Sequence, residues 1–289
     1  MEARNNGRAI AAMLLAMAGF ILNDALVKLS ADALPLGQII LVRGIVSIIL
    51  IALVCYATGV FKSVSQLRQP AVLVRAAAET SATVCYLTAL FHLPIANATA
   101  ILQALPLVVT AGAAIFLKSK VGWRRWTAIA IGFAGILIIV RPGLEGFNAF
   151  SLLALAGVAC MAVRDLATQQ VPKDVPTFGV ALVSFIAVTT LGAGLTVVDG
   201  WQAMSLETFG LLCGASVFII VGYIFIIIAM RSGEIAVVAP FRYSIVIWAI
   251  GLGFFVWGDV PDGWTLLGTG IVIVMGIYTF FREQRIAHN

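Results

Sequence analysis

Apolar residues fill this chain in runs of about twenty, the length that crosses a bilayer core as a helix. Short clusters of proline, glycine and charge interrupt them. Ten spans are predicted, near residues 9–30, 36–58, 71–92, 95–117, 124–140, 150–170, 177–198, 208–230, 235–257 and 264–281. No run alternates apolar and polar residues with period two, which excludes an outer-membrane barrel. The longest connections, near 59–70 and 199–207, are too short for a soluble domain. Any function must reside among the helices.

Composition agrees with this pattern. The 289 residues are 62% hydrophobic and 11% charged, with a mean hydropathy of +1.07. A soluble domain of that size would have nothing with which to cover its surface. Four cysteines (Cys55, Cys85, Cys160 and Cys213) stand singly in apolar runs, without metal-ligand or disulfide spacing, and read as packing residues. No metal and no cofactor are expected.

Charge changes the picture by its location. A pI of 9.2 would suit a nucleic-acid partner, but the basic residues sort by membrane face. With Arg4 and Arg8 cytoplasmic, Lys62, Arg68, Arg75, Lys118, Lys120, Arg124, Arg125, Lys173, Arg231, Arg282 and Arg285 fall on the same face. The opposite face keeps little beyond Lys28 and Arg141 and collects Asp199, Glu207, Asp259 and Asp262. Both ends are then cytoplasmic, which requires an even number of spans and favours ten. The expected setting is the lipid bilayer of the cell (inner) membrane, crossed many times, with no nucleic acid. The start, MEARNNGR before AIAAMLLAMAG, also has the form of a signal peptide. Cleavage there would remove the first span and strand the C-terminus on the wrong side of the charge pattern.

The two halves of the chain resemble each other. Residues 95–132 and 235–270 both begin Ile-Ala, run through a Pro-containing span, cross a short turn and continue with Trp-Thr. Trp126-Thr127 precedes Gly132 as Trp264-Thr265 precedes Gly270, and Pro35 matches Pro176. An internal duplication follows, with units at 1–142 and 143–289. Five spans per unit is an odd number, so the second must enter the membrane from the opposite side. The expected fold is therefore an all-α integral membrane protein of ten helices in two inverted five-helix repeats. That architecture belongs to alternating-access carriers, which bind near the midplane between the repeats.

The segment ATAILQALPLVVTAGAAIFLKSKVGWRRWTAIAIGFAGILIIVRPG, with NDALVK and LVRG near the start and WGDVPDGWTLLGTGIVIVMG near the end, resembles the EamA repeat of the drug/metabolite transporter superfamily. The resemblance covers almost the whole chain as two five-helix units. It implies a ten-helix exporter of metabolites, amino acids and related small polar molecules prominent among them, and brings forward the aromatic amino acid exporter branch as a relative. One departure is plain: the family's Gly-Glu after the fourth span stands as Gly258-Asp259 in the second half and as Leu117-Lys118 in the first.

Few ionisable residues remain inside the spans: Asp24, Lys28, Arg43, Glu79, Arg164, Asp165 and Arg242. Each costs about 2.5–3.5 kcal/mol at a helix centre, so each needs a partner or water. Asp24 and Lys28, spaced i,i+4, can pair near the outer interface. Arg164 and Asp165 lie close enough to a span end to snorkel, or to face a cavity. Arg43 and Arg242 lie roughly 10 Å from the nearer edge at about 1.5 Å per residue. Glu79 is too short to snorkel and is expected to meet an arginine, Arg43 being nearest in sequence. Two roles stay open for it: a buried ion pair that fixes helix register, and a coupling proton site whose pairing changes between states. By the repeat, Arg43 corresponds to Ser184 and Arg242 to Leu102, so neither charge is kept by both halves. Asymmetric charges suit an asymmetric substrate.

The candidate lining adds Tyr86, Gln103, Tyr243 and Trp248 to Arg43, Glu79, Arg164 and Arg242, with His92 and Asn97 nearby. Arginine beside aromatics suits a small molecule with a carboxylate and an apolar body; the alternative for the aromatics is interfacial anchoring. Pro106 and Pro240 free backbone carbonyls inside the fourth and ninth spans and permit bending. Small residues in the fifth and tenth spans, Ala128, Gly132, Gly268 and Gly270, allow close packing within one chain or between two; a monomer is sufficient and a dimer is allowed. No P-loop is present for ATP to drive transport, and no HExxH or GxSxG motif supports an enzyme. A channel usually builds its pore by oligomeric symmetry, which a duplicated chain with asymmetric charges argues against. A secondary transporter moving amino acids or like metabolites out of the cell is the expected function; a drug or cation transporter of the same fold is the alternative.

Overall fold

The computed structural model describes residues 6–58, 67–119, 121–141, 148–172, 175–232 and 235–287. Among the described residues the chain is helical, without strands. The elements are α1 (Asn6–Ser30), α2 (Leu36–Ala57), α3 (Pro70–His92), α4 (Ile95–Leu102), α5 (Leu105–Phe116), α6 (Trp123–Val140), α7 (Phe150–Gln169), α8 (Thr177–Asp199), α9 (Leu206–Ser232), α10 (Ile235–Val238), α11 (Ser244–Leu252) and α12 (Gly263–Ala287). Nine helical segments among the described residues are long and apolar enough to cross a membrane. The 23-residue α3 is less apolar, and it is packed among the others on α7 and α8. The predicted spans and the observed helices agree to within a few residues, apart from the final turns of α12. Of the basic residues used to orient the chain, Arg4, Lys62, Lys120 and Lys173 lie outside the described residues, as does the expected boundary at 142–143.

Prolines set several helix starts. Pro35, Pro94 and Pro176 immediately precede α2, α4 and α8, and Pro70 opens α3, where the missing N–H costs nothing. Two predicted spans are each broken in the middle. The fourth is α4 and α5, joined by a turn at Gln103 and Ala104. The ninth is α10, a 3₁₀ segment (Ala239–Tyr243), α11 and a π turn (Gly253–Trp257). Pro106 sits in the first turn of α5 and Pro240 in the 3₁₀ segment, where neither can donate to the ladder.

Both broken spans end alike. Ser119 N–H reaches Ala113 O at 3.1 Å, and Asp259 N–H reaches Gly253 O at 3.0 Å. The left-handed residue in each turn is Lys118 (φ 53°) or Gly258 (φ 71°). The Gly258-Asp259 and Leu117-Lys118 difference is therefore a difference of residue at one kind of turn, which lysine fills at some cost in strain.

The helices pack in a characteristic set of pairs: α1 on α9, α3 on α7, α2 on α8, α6 on α12 and α4 on α11. Numbered as spans, these pairs map onto themselves when each span is exchanged for the one five places on. The fifth and tenth spans touch backbone to backbone. A Cβ added at Gly268 would stand 2.6 Å from Gly135 O, and one at Gly135 would stand 3.0 Å from Gly268 O. Gly270, by contrast, has open space beside it. The small-residue contact is thus intramolecular and centred on Gly135 and Gly268.

Candidate functional site

A cavity of about 510 Å³ lies within the bundle. Its wall takes Phe20, Asn23 and Asp24 from α1, Arg43 from α2, and Arg75, Glu79, Thr83 and Tyr86 from α3. Gln103 and Pro106 come from the break in the fourth span, Arg164, Asp165 and Thr168 from α7, and Tyr223 from α9. Pro240, Arg242 and Tyr243 come from the 3₁₀ segment, and Gly276 from α12. Both interrupted spans contribute their irregular turns, as expected where non-helical backbone borders a cavity at membrane depth. The lining reaches Thr168 and Phe280, near the ends of α7 and α12, but goes no further the other way than Asp24, Tyr86 and Leu87. The cavity therefore extends from mid-bundle toward the end where α1 begins and α12 finishes.

The opposite end is held by polar contacts. Lys28 Nζ donates to Leu90 O at 2.6 Å and Leu93 O at 2.5 Å, and lies 5.8 Å from the centre of the Trp257 ring. Gln38 exchanges two hydrogen bonds with the backbone of Gln202, both at 2.9 Å. Arg141 pairs with Asp262. His92 stacks on Phe150 with ring centres 3.7 Å apart.

Of the residues expected to line a site, Arg43, Glu79, Tyr86, Gln103, Arg164, Arg242 and Tyr243 all border the cavity, with both prolines. Trp248 does not: it is on α11, 45% exposed and outside the lining. His92 and Asn97 also lie outside it. The expected pairings are rearranged. Glu79 meets Arg164 at 3.3 Å and Arg75, one turn earlier on its own helix, at 3.9 Å, rather than Arg43. Arg164 also donates to Asp165 at 2.8 Å, although adjacent side chains diverge on a helix, because the long guanidinium arm folds back. Arg43 Nη1 donates to Asn23 Oδ1 at 3.1 Å. Asp24 does not pair with Lys28 at an interface. It borders the cavity and accepts from the Tyr86 hydroxyl at 2.8 Å and from Asn23 Nδ2 at 2.9 Å.

Residue counting missed Arg75, Asn23 and Tyr223. Arg75 stands five residues into α3 and counts as a face residue in the sequence, yet it is only 9% exposed. It donates to Thr168 at 3.0 Å and to the Ser184 hydroxyl. The 141-residue interval from Pro35 to Pro176 also takes Arg43 to Ser184 and Arg75 to Ser216. Ser216 Oγ donates to Arg43 O at 2.9 Å. Each of these equivalent helix contacts thus holds one arginine and one serine, with the arginine on a different helix in each. The charge asymmetry of the two halves is built in at matching positions.

Arg242 differs from the other cavity arginines. It is exposed, and no hydrogen-bond or ion-pair partner stands opposite it among the described residues. Tyr243 beside it is packed against the backbone of α12, where a Cβ at Gly276 would fall 1.9 Å from the tyrosine oxygen. No cluster of metal-binding side chains occurs among the described residues.

A polytopic helical bundle with two broken helices, around a cavity that holds several charged side chains, is the architecture of a membrane transporter. The chain belongs to the EamA-like transporter family, whose model matches residues 7–141 and again 149–282. Over 94% of its length it is 26% identical to the pseudopaline exporter CntI of Pseudomonas aeruginosa, covering 95% of that protein. It is 24% identical to a riboflavin transporter of Rhizobium johnstonii over 69% of this chain and 66% of that one. A crystal structure at 18% identity shares the fold, with a TM-score of 0.62 over 93% of this chain and 96% of that chain. This is a multi-pass membrane protein of a small-molecule transporter family.

Proposed function

We propose that this protein exports small carboxylate-bearing metabolites, amino acids and aromatic ones among them, across the cell (inner) membrane. It works by alternating access, with no cofactor, through exchange of two inverted repeats at 1–142 and 143–289. The observation that carries the reading is Arg242. Arg43, Arg75 and Arg164 are each bonded to protein groups, whereas Arg242 faces the cavity with its donors available. A guanidinium in a partly dehydrated cavity binds carboxylate strongly and can do so through two parallel hydrogen bonds. Tyr243, Tyr223 and Phe20 supply the apolar and aromatic surface for the rest of such a molecule. The exporter relative supports the direction, and the paired helix contacts support exchange of the halves.

The Glu79 contacts with Arg164 and Arg75 support its role as an ion-pair centre joining α3 to α7. Removing it would leave two guanidiniums short of a counter-charge in the bundle. The acidic residues of the same cavity keep a cation or drug substrate as the second reading.

Counterflow into liposomes holding purified protein, with a panel of amino acids and organic cations, tests the proposal. Saturable counterflow of an anionic or zwitterionic member is expected. The Arg242→Ala variant should raise its half-saturation concentration on the order of tenfold to a hundredfold, the loss of one charged hydrogen bond of about 1.5–3 kcal/mol. Its melting temperature should stay near wild type. Saturable counterflow of cations alone, indifferent to Arg242, would sink the carboxylate reading. Conductance without saturation would sink the carrier.

A further inference from the structure

We propose that Asp24, deep in the cavity wall on α1, is the carboxyl group that binds and releases a proton in the working cycle, and that Tyr86 and Thr99 carry its protonation state to the broken fourth span. The inference rests on the carrier reading for its purpose, but the arrangement of hydrogen bonds stands by itself.

The two acid sites of the cavity are wired differently. Glu79 is held by two guanidiniums, Arg164 at 3.3 Å and Arg75 at 3.9 Å, so neutralising it strands cationic charge. Asp24 takes its direct hydrogen bonds from neutral donors, the Tyr86 hydroxyl at 2.8 Å and the Asn23 amide at 2.9 Å. The nearby guanidinium, Arg43, donates to Asn23 Oδ1 at 3.1 Å and to no Asp24 oxygen at hydrogen-bond distance, so it acts on the Asp24 carboxylate only through space. Protonating Asp24 therefore breaks no direct ion-pair contact, at the cost of the through-space attraction to Arg43. The other charged and titratable groups are accounted for. Lys28, one turn on, is turned to the carbonyls of Leu90 and Leu93. Tyr223 of α9, Glu79 of α3, Arg164 and Asp165 of α7, and Arg242 and Tyr243 of the 3₁₀ segment border the same cavity.

A second observation gives the proton somewhere to act. Thr99 Oγ1, on α4, is fully buried and makes no well-formed hydrogen bond among the described residues, its proton reaching only loosely toward the Tyr86 oxygen beside it. A buried hydroxyl so poorly satisfied is costly and calls for an explanation. While Asp24 is ionised, Tyr86 must donate to it and cannot donate to Thr99. Once Asp24 takes a proton from cavity water, its own O–H donates to the Tyr86 oxygen. The tyrosine proton is then free to turn to Thr99 Oγ1, and deprotonation returns the proton to water and reverses the turn. Thr99 stands four residues before Gln103, at the point where the fourth span breaks, and Gln103 Nε2 is bonded to Thr99 O at 3.0 Å. One proton thereby switches a hydrogen bond between α1 and α3 for one between α3 and α4, next to the joint of the broken fourth span.

Infrared difference spectra of the purified protein in lipid vesicles, between acid and alkaline pH and without substrate, test this. Wild type should show the carbonyl stretch of a protonated carboxylic acid. That band should vanish in Asp24→Asn, persist in Glu79→Gln, return at altered frequency in Asp24→Glu, and move to higher frequency in Tyr86→Phe as the acid loses its acceptor. Thr99→Val should also shift it. A band that survives Asp24→Asn, a band lost in Glu79→Gln, or a band indifferent to both Tyr86→Phe and Thr99→Val overturns the assignment, and the last arm needs no change at Asp24. Since no substrate enters the measurement, its failure is separate from a failure of counterflow.

Discussion

Lys28 and Arg141 sit at the same end of the bundle and are held by different means. Lys28 satisfies carbonyls at the C-terminus of α3, which have no helical partner and carry the negative end of the helix dipole. Arg141 closes α6 in a left-handed conformation (φ 47°) and pairs with Asp262, just before α12. The Arg141 guanidinium, then the Thr265 groups, hold the Asp262 carboxyl down at about 2, below its usual 3.8. A carboxyl lowered on folding stabilises the folded state above its unfolded value and stops doing so as pH falls toward the folded one. Thermal unfolding of wild type should therefore exceed that of Asp262→Asn above about pH 4, with the gap closing as pH falls toward about 2. A gap that is constant over that range would contradict the pairing. Residue identity was legible in the sequence more readily than residue environment. Arg242, Arg43 and Glu79 stood out because charge in an apolar run is costly. Asp24 read as interfacial because its depth was counted along the helix, and a cavity brings polar surroundings to a depth that counting treats as hydrocarbon.

At the scale of elements, Pro106 and Pro240 marked the two spans that are broken, but the break positions follow the repeat more closely than the prolines do. The Ile95–Ile235 register places Gln103 opposite Tyr243, where the first break begins and the 3₁₀ segment ends. The prolines themselves fall at non-equivalent positions. The interface of α6 and α12 was readable as a small-residue stripe, but which glycines touch was not, because Gly268 and Gly270 lie on nearly opposite sides of α12 and their spacing does not say which side meets α6. A methyl group at Gly268 meets backbone that cannot give way. Gly268→Ala should cost about 1–3 kcal/mol by overpacking. Gly270→Ala has open space and should stay within about 0.5 kcal/mol of wild type. Unfolding in detergent micelles measures both, and equal losses would mean that the helices meet elsewhere.

Across the whole molecule, the number of spans and the pairing of halves could be read from periodicity and from repeated Trp-Thr and Pro positions. The open end of the cavity could not, since it depends on how the helices pack around it and not on the order of apolar runs. With the termini cytoplasmic, as the basic residues suggest, the cavity of this structure faces the cytoplasm. In a background lacking the four native cysteines, Thr168→Cys at the cavity mouth should then react with an impermeant maleimide from the cytoplasmic side only. Trp201→Cys, at an exposed position beyond α8, should react from the other side only. Inverted and right-side-out vesicles distinguish the two, and the reverse pattern would invert the topology.

Arg75 and Glu79 also bear on how the chain enters the bilayer. They lie one turn apart on α3, 3.9 Å from each other, so this helix emerges from the ribosome with its counter-ion already aboard. Its other partners, Thr168, Ser184 and Arg164, are not synthesised until 85 to 109 residues later, as the separations of 93, 109 and 85 residues show. During that interval the least apolar span can wait in the membrane as a neutral segment, and the bundle completes around it.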